Sequence, residues 1–238
     1  MNLSKSLEFF DPAKIDKRIH IVGCGAIGSN LCHHLVHLGV PKLEIYDFDR
    51  VEAHNIANQM FTEQDIGKLK TEACEDHAKE INPLVEIVRH DEGLDPETEL
   101  DGYVFLCVDN IDLRRQIVET NKYNPNMTTI TDFRMRLTDA QCYFIVCREY
   151  GEVDALLKTM DFTHEEATTS TPVSACGVEL SVYYAPNTVV SVGVANFVKY
   201  ILGQNYFNMF LVDLDMFSII PMKWKPRKKK SAVVFKDI

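Results

Sequence analysis

Arg18-Ile19-His20-Ile21-Val22, running directly into Gly23-Cys24-Gly25-Ala26-Ile27-Gly28, is the stretch that decides the fold. The first five residues are largely apolar and β-branched, as a buried strand requires. Ile27 to Leu38 then carries apolar residues at helical spacing. Glycine spacing between a strand and a helix has a mechanical meaning. The first glycine permits the tight turn, the second lets the backbone approach a phosphate, and the third lets the helix pack closely on the strand. A helix that begins there presents unpaired N–H groups and partial positive charge to an anion. Asp47 ends the next expected strand, Lys42 to Tyr46, at the distance of about 20 residues where a carboxylate accepts ribose hydroxyls. These features predict a nucleotide site and leave the nucleotide open.

Outward from this unit the alternation continues. Lys68 to Ile81 reads as a helix, Val85 to Arg89 and Tyr103 to Cys107 as strands, and Ile111 to Lys122 as a helix. Thr128 to Thr131 and Gln141 to Val146 are strand-like, Val189 to Leu202 helical, and two late strands fall around Met209 to Val212 and Ser218 to Ile220. The expected fold is α/β: a Rossmann-like, doubly wound mixed sheet with late antiparallel strands. Between Phe162 and Pro172 the pattern dissolves into Thr, Ser, Glu and Pro, which predicts a mobile crossover loop over 162–176. No repeat, linker or shift in composition divides the chain, so 1–238 is expected to be one domain ending in a basic tail at 223–238.

The formal net charge of −10 argues against a nucleic-acid binder, since such affinity rests on neutralising phosphates. The basic run from Lys223 to Lys230 is expected to be a solvated tail, with docking to an acidic partner as the other reading. Thr188 to Gly203, the longest apolar stretch, is interrupted by Asn196 and Lys199 and suits a buried helix better than a membrane span. Met1 to Pro12 lacks the apolar core of a secretory signal. The seven cysteines are scattered and odd in number, as reduced thiols in a cytoplasmic protein would be. Cys142 and Cys147 are expected to pack in the core. His33 and His37 stand at i, i+4, but without a third ligand they suit packing or surface roles.

Four further segments favour ATP over a nicotinamide. They are Asp47-Phe48-Asp49-Arg50-Val51-Glu52, Asn55-Ile56-Ala57-Asn58-Gln59, Asp65-Ile66-Gly67-Lys68-Leu69-Lys70, and Cys107-Val108-Asp109-Asn110 with Arg114 beyond. Hydride transfer has no need of a lysine and a carboxylate added to the phosphate loop. Adenylyl transfer needs both, to neutralise the triphosphate and to hold the bridging magnesium. The ordered set resembles the ThiF/MoeB and ubiquitin-activating adenylation domains, whose pattern runs GxGxxG, DxDxVexxNlxRQ, diGkxK and TDN. The resemblance covers about Arg18 to Arg114, and a weaker one around Ala175-Cys176-Gly177-Val178 extends it to about Gly203.

That resemblance implies ATP and Mg²⁺. Gly25 and Gly28 would face the phosphates, with Gly23 and Ala26 in the same loop. Asp47 would bind the ribose, and Asp49 would stand among the nucleotide contacts. Asn55, Asn58, Gln59 and Lys70 would surround the triphosphate, and Asp109 would bind magnesium beside Asn110 and Arg114. In such proteins the C-terminal glycine carboxylate of a small ubiquitin-like or sulfur-carrier protein attacks the α-phosphorus, giving an acyl-adenylate and pyrophosphate. Lys70 and Asp109 would be catalytic. Cys176 would either take the acyl group as a thioester or simply pack under the loop. A homodimer is implied, without nucleic acid or membrane.

Two departures matter. Asn58 stands where the family usually has arginine, so a fixed positive charge is missing. The arginine that such dimers contribute from before the first strand is replaced by Lys14, Lys17 or Arg18, if by anything. The alternatives are therefore a catalytically weak binding subunit and, on the glycine loop and Asp47 alone, a nicotinamide-dependent oxidoreductase.

Overall fold

The computed structural model describes residues 1–149, 151–170, 172–173 and 180–224. Eight strands form one sheet: β1 (Ile19–Val22), β2 (Lys42–Tyr46), β3 (Glu86–His90), β4 (Gly102–Leu106), β5 (Met127–Arg136), β6 (Asp139–Val146), β7 (Met209–Asp213) and β8 (Ser218–Met222). Their order is β3-β2-β1-β4-β5-β6-β7-β8. The first five run parallel and the last three antiparallel. This is the expected doubly wound mixed sheet with a late antiparallel half.

Among the described residues six α-helices accompany it: α1 (Ala26–His37), α2 (Lys70–Ile81), α3 (Ile111–Thr120), α4 (Glu152–Lys158), α5 (His164–Ser170) and α6 (Tyr184–Ile201). The strands' two-residue periodicity sorts the core into two layers. On one face Phe105, Phe133 and Phe144 pack in the cluster that includes Leu31 and Leu35 of α1 and Val189 and Phe197 of α6. On the other, Val104, Leu106 and Ile145 cluster with Ile111 and Ile117 of α3 and Val153 and Leu156 of α4. The apolar stretch read as a buried helix is α6; among the described residues, no helix is long and apolar enough to cross a membrane.

Three expectations need correction. β5 does not stop at Thr131 but continues to Arg136, because the charged residues that seemed to end it are paired internally: Asp132 is fully buried against Arg114 and Arg134. The segment expected to be a mobile loop is helical over His164–Ser170. Its start is a reciprocal cap: Glu166 accepts from the Thr163 N–H (2.7 Å) and the Thr163 hydroxyl oxygen accepts from the Glu166 N–H (3.2 Å). Thr171 and residues 174–179, including Cys176, lie outside the described residues. The first two residues of the basic tail are held by contacts, although Lys223 stays exposed and Trp224 half-buried. Lys223 Nζ sits 3.3 Å from the centre of the Tyr206 ring, and the Trp224 N–H donates to Asn208 Oδ1 at 3.0 Å. Residues 225–238 lie outside the described residues.

Candidate nucleotide site

β1 has β2 on one side and β4 on the other, so the winding of the parallel half reverses beside it. Parallel strands end together, and the crevice at such a reversal is where open α/β sheets take ligands. Three loops meet there: Gly23–Gly25 after β1, the long segment after β2, and Cys107–Asn110 after β4.

The glycines perform different tasks. Gly23 turns with φ of 95°, its N–H donates to the Tyr46 carbonyl at 2.8 Å, and a Cβ on it would lie 2.9 Å from the Val108 nitrogen. A Cβ on Gly28 would lie 1.8 Å from the Gly23 carbonyl oxygen, so this glycine packs helix on turn rather than facing a phosphate. Gly25, the N-cap of α1, is the open one: a Cβ there meets nothing within 4 Å. Among the described residues no side chain caps α1, leaving the N–H groups from Gly25 and Ala26 onward for an anion. Cys24 points into the core and is fully buried.

Asp47 accepts from the Cys24 N–H (2.6 Å) with Oδ2 and from the Asp49 N–H (2.8 Å) with Oδ1. Burial pushes its carboxyl above the usual range, while the two N–H donors and the Lys70 charge pull the other way. A carboxylate has about four acceptor positions, so the pair of bonds leaves room for a diol. The loop after β2 folds back on itself to deliver Lys70. The N–H groups of Val51 and Gly67 exchange bonds with the carbonyls of Lys68 and Val51, each at 2.9 Å, and the Lys70 N–H donates to the Asp49 carbonyl at 2.9 Å. The Lys70 side chain is buried (8% exposed for the residue) with Nζ 2.7 Å from Asp49 Oδ2. An ammonium has three donors, so the ion pair with Asp49 leaves two. Asp65 anchors this loop, accepting from the Thr62 N–H and hydroxyl (2.8 Å each) and from Lys68 (3.1 Å), with His77 at 2.9 Å. Against the cost of burial, the Thr62 and Lys68 hydrogen bonds and the His77 charge bring its pKa down to about 2.

The 53–57 turn places the amides. Asn55 Oδ1 accepts from the Glu52 N–H at 2.9 Å, a local capping role. Asn58 Oδ1 and Gln59 Oε1 are buried with no hydrogen-bond partner among the described residues. Orphaned buried polar atoms are what a polar ligand would complete. After β4, Asn110 Oδ1 caps α3, accepting from the N–H groups of Asp112 (2.9 Å) and Leu113 (3.0 Å). Asp109, one residue earlier, is exposed and makes no hydrogen bond or ion pair with the described residues. Arg114 does not reach toward the crevice. Its guanidinium lies behind the loop, donating to the Val108 and Phe133 carbonyls and to Asp132, so it supports the loop rather than meeting a nucleotide. No group of three or more His, Cys, Asp or Glu side chains that could hold a metal ion occurs among the described residues. A single free carboxylate fits magnesium, which binds through one or two carboxylates plus phosphate oxygens.

Sequence reading missed Asp132, Arg134 and Arg115, which support the Asp109 loop and its surroundings. The available signal was a pair of charged residues inside a strand-length run.

Sheet order and helices together define a Rossmann-type α/β protein. The chain belongs to the ThiF family, which matches residues 14–233. It is similar to ubiquitin-like modifier-activating enzyme 5 of Drosophila persimilis, 31% identical over 134 residues, covering 49% of this chain and 34% of that one. It is also similar to the molybdopterin-synthase adenylyltransferase of Salmonella typhimurium, 26% identical over 153 residues, covering 58% of this chain and 61% of that one. The fold matches the crystal structures of PaaA (TM-score 0.68, 17% identity) and of Escherichia coli MccB with ATP (TM-score 0.67, 16% identity), each over 89% of this chain and 65% of the other. The chain thus spans about a third of the modifier-activating relative and under two thirds of the others.

Proposed function

We propose that this protein is an adenylyltransferase that uses ATP with Mg²⁺ to activate the C-terminal carboxylate of a small ubiquitin-like or sulfur-carrier protein, working as a cytoplasmic homodimer. The observation that carries the reading is the convergence of an uncapped, glycine-lined helix start, a buried lysine and an unpaired aspartate on one crevice. Family membership and the names of the relatives support the same reaction.

The chain's own groups have separable tasks in it. Asp47 accepts ribose hydroxyls while the Cys24 and Asp49 N–H groups hold its orientation. N–H groups at the start of α1 and the two remaining donors of Lys70 bind phosphate oxygens. Asn58 and Gln59 present amide groups to the same anion, through their amino ends if the amides rotate. Asp109 would hold the magnesium, which when bound neutralises the charge that builds on the phosphate oxygens. The incoming carboxylate oxygen bonds to the α-phosphorus as the bond to pyrophosphate breaks. Positioning and charge supply most of the catalysis. In a second step the Cys176 thiolate would attack the acyl carbon and release AMP.

The deciding experiment is ATP–pyrophosphate exchange with the cognate carrier, whose chain ends in glycine. Lys70→Ala and Asp109→Ala should each lower exchange by about 100-fold or more, the scale for removing a charge-stabilising donor. Equal exchange in all three proteins would sink these roles. Asn58 favours a second reading, a subunit that binds ATP or carrier but activates weakly. Under it, Asn58→Arg raises exchange; robust activity in the unaltered protein, with no gain in the variant, excludes it.

A further inference from the structure

Asp132 lies on β5 opposite Leu106 of β4, with its carboxylate fully buried. One oxygen, Oδ1, holds Arg114 and the other, Oδ2, holds Arg134 at 2.7 Å. Each arginine reaches from this shared carboxylate to a different stretch of backbone. Arg114 donates to the carbonyl of Val108, the neighbour of Asp109. Arg134 donates to the Thr159 carbonyl at 2.8 Å and the Thr159 hydroxyl at 2.9 Å, with its guanidinium over the Tyr143 ring. α3 grips the same stretch a little further on. Arg115 donates to the carbonyls of Met160 and Phe162, and Asp112 Oδ2 accepts from the His164 N–H at 3.2 Å. The residues from 159 to 164 are the stem from which the chain runs on toward Cys176.

A buried ion pair contributes little net stability compared with apolar residues of the same shape. What apolar side chains cannot do is hold carbonyls of two separate loops in one geometry. We infer that Asp132 is a positioning residue: through Arg114 and Arg134 it ties the Asp109 loop (107–110) to the 159–164 stem, so that the two move as a unit. Its consequence for catalysis rests on the nucleotide reading above; the tie itself does not.

Two measurements on the full chain test it. In hydrogen exchange without ligand, Asp132→Asn should speed the amides of 107–110 and 159–164 together by about tenfold, leaving β1 and β2 unchanged. In calorimetry the same variant should bind Mg·ATP about tenfold more weakly and AMP within twofold of the unaltered protein, because only the former uses Asp109. Exchange that rises throughout the molecule, or parallel loss of AMP and Mg·ATP, would show a merely structural carboxylate and overturn the inference. So would no change in either loop.

Arg134→Met removes only one arm and serves if Asp132→Asn does not accumulate folded. It should speed the stem most and 107–110 by a smaller, measurable factor; no response at 107–110 defeats the tie. An unaltered protein that binds neither nucleotide would refute the nucleotide reading, while the exchange result still decides the tie on its own.

Discussion

The two halves of the sheet are built on different principles. In the parallel half, β1, β2 and β4 end side by side, and the candidate site is made mostly of backbone: turns, a helix start and short loops around Lys70, Asp47, Asp49 and Asp109. At β5, where the parallel half meets the antiparallel one, side chains do the holding: a fully buried carboxylate, Asp132, is shared by Arg114 and Arg134. The difference teaches that a rigid loop can be obtained in two ways. Close backbone packing leaves only glycine admissible, whereas a buried carboxylate allows many neighbours but demands that every partner be present.

The largest effect that sharpens this contrast is expected from Arg114→Met. It leaves the buried Asp132 with one arginine, a change of the kind that costs about 3–5 kcal/mol, read as the urea midpoint. A loss under about 1 kcal/mol would mean that apolar packing alone holds the seam at β5. Gly28→Ala tests the other half. A Cβ 1.8 Å from a backbone oxygen forces α1 away from the turn, and a cost of about 1–3 kcal/mol with loss of ATP binding is expected. Retained affinity would show that the helix can slide without disturbing the phosphate loop.

A smaller effect is expected from pH. Asp65 has a folded pKa of about 2, below its ordinary 3.8. The unfolded chain therefore takes up the proton first as pH falls. Asp65 contributes stability in full above about pH 4, and that contribution is lost as pH drops through 2. Thermal melts from pH 5 to 2 should fall more steeply for the unaltered protein than for Asp65→Asn, and parallel curves would remove Asp65 from the account. The smallest effect belongs to Thr163→Ala, which opens the cap of a short exposed helix. It should cost α5 about 1 kcal/mol in local hydrogen exchange and leave the sheet untouched.

Much of the parallel half was legible. β2 matches its expected bounds, and the glycine loop, Asp47 and Asp109 follow the ends of β1, β2 and β4 because local spacing dictates where each strand ends. α5 was also written in the chain, as Thr163 followed three residues later by Glu166, but a run of Thr, Ser and Glu resembles loop composition unless the reciprocal cap is sought. Arg114 was legible as a residue and not as a role. Its spacing from Asp109 placed it near the crevice, yet only the fold shows its guanidinium turned behind the loop.

From its amino acids alone, this protein's alternation of strand and helix, its glycine turn and its ordered polar motifs are determined, since each depends on neighbours within a few residues. Tertiary structure alone decided that β5 continues through Asp132, which acceptors Arg114 takes, and that Lys70 pairs with Asp49. The reason is distance along the chain. A buried charge is tolerable only if partners from other elements arrive to meet it, and no local pattern records that they will.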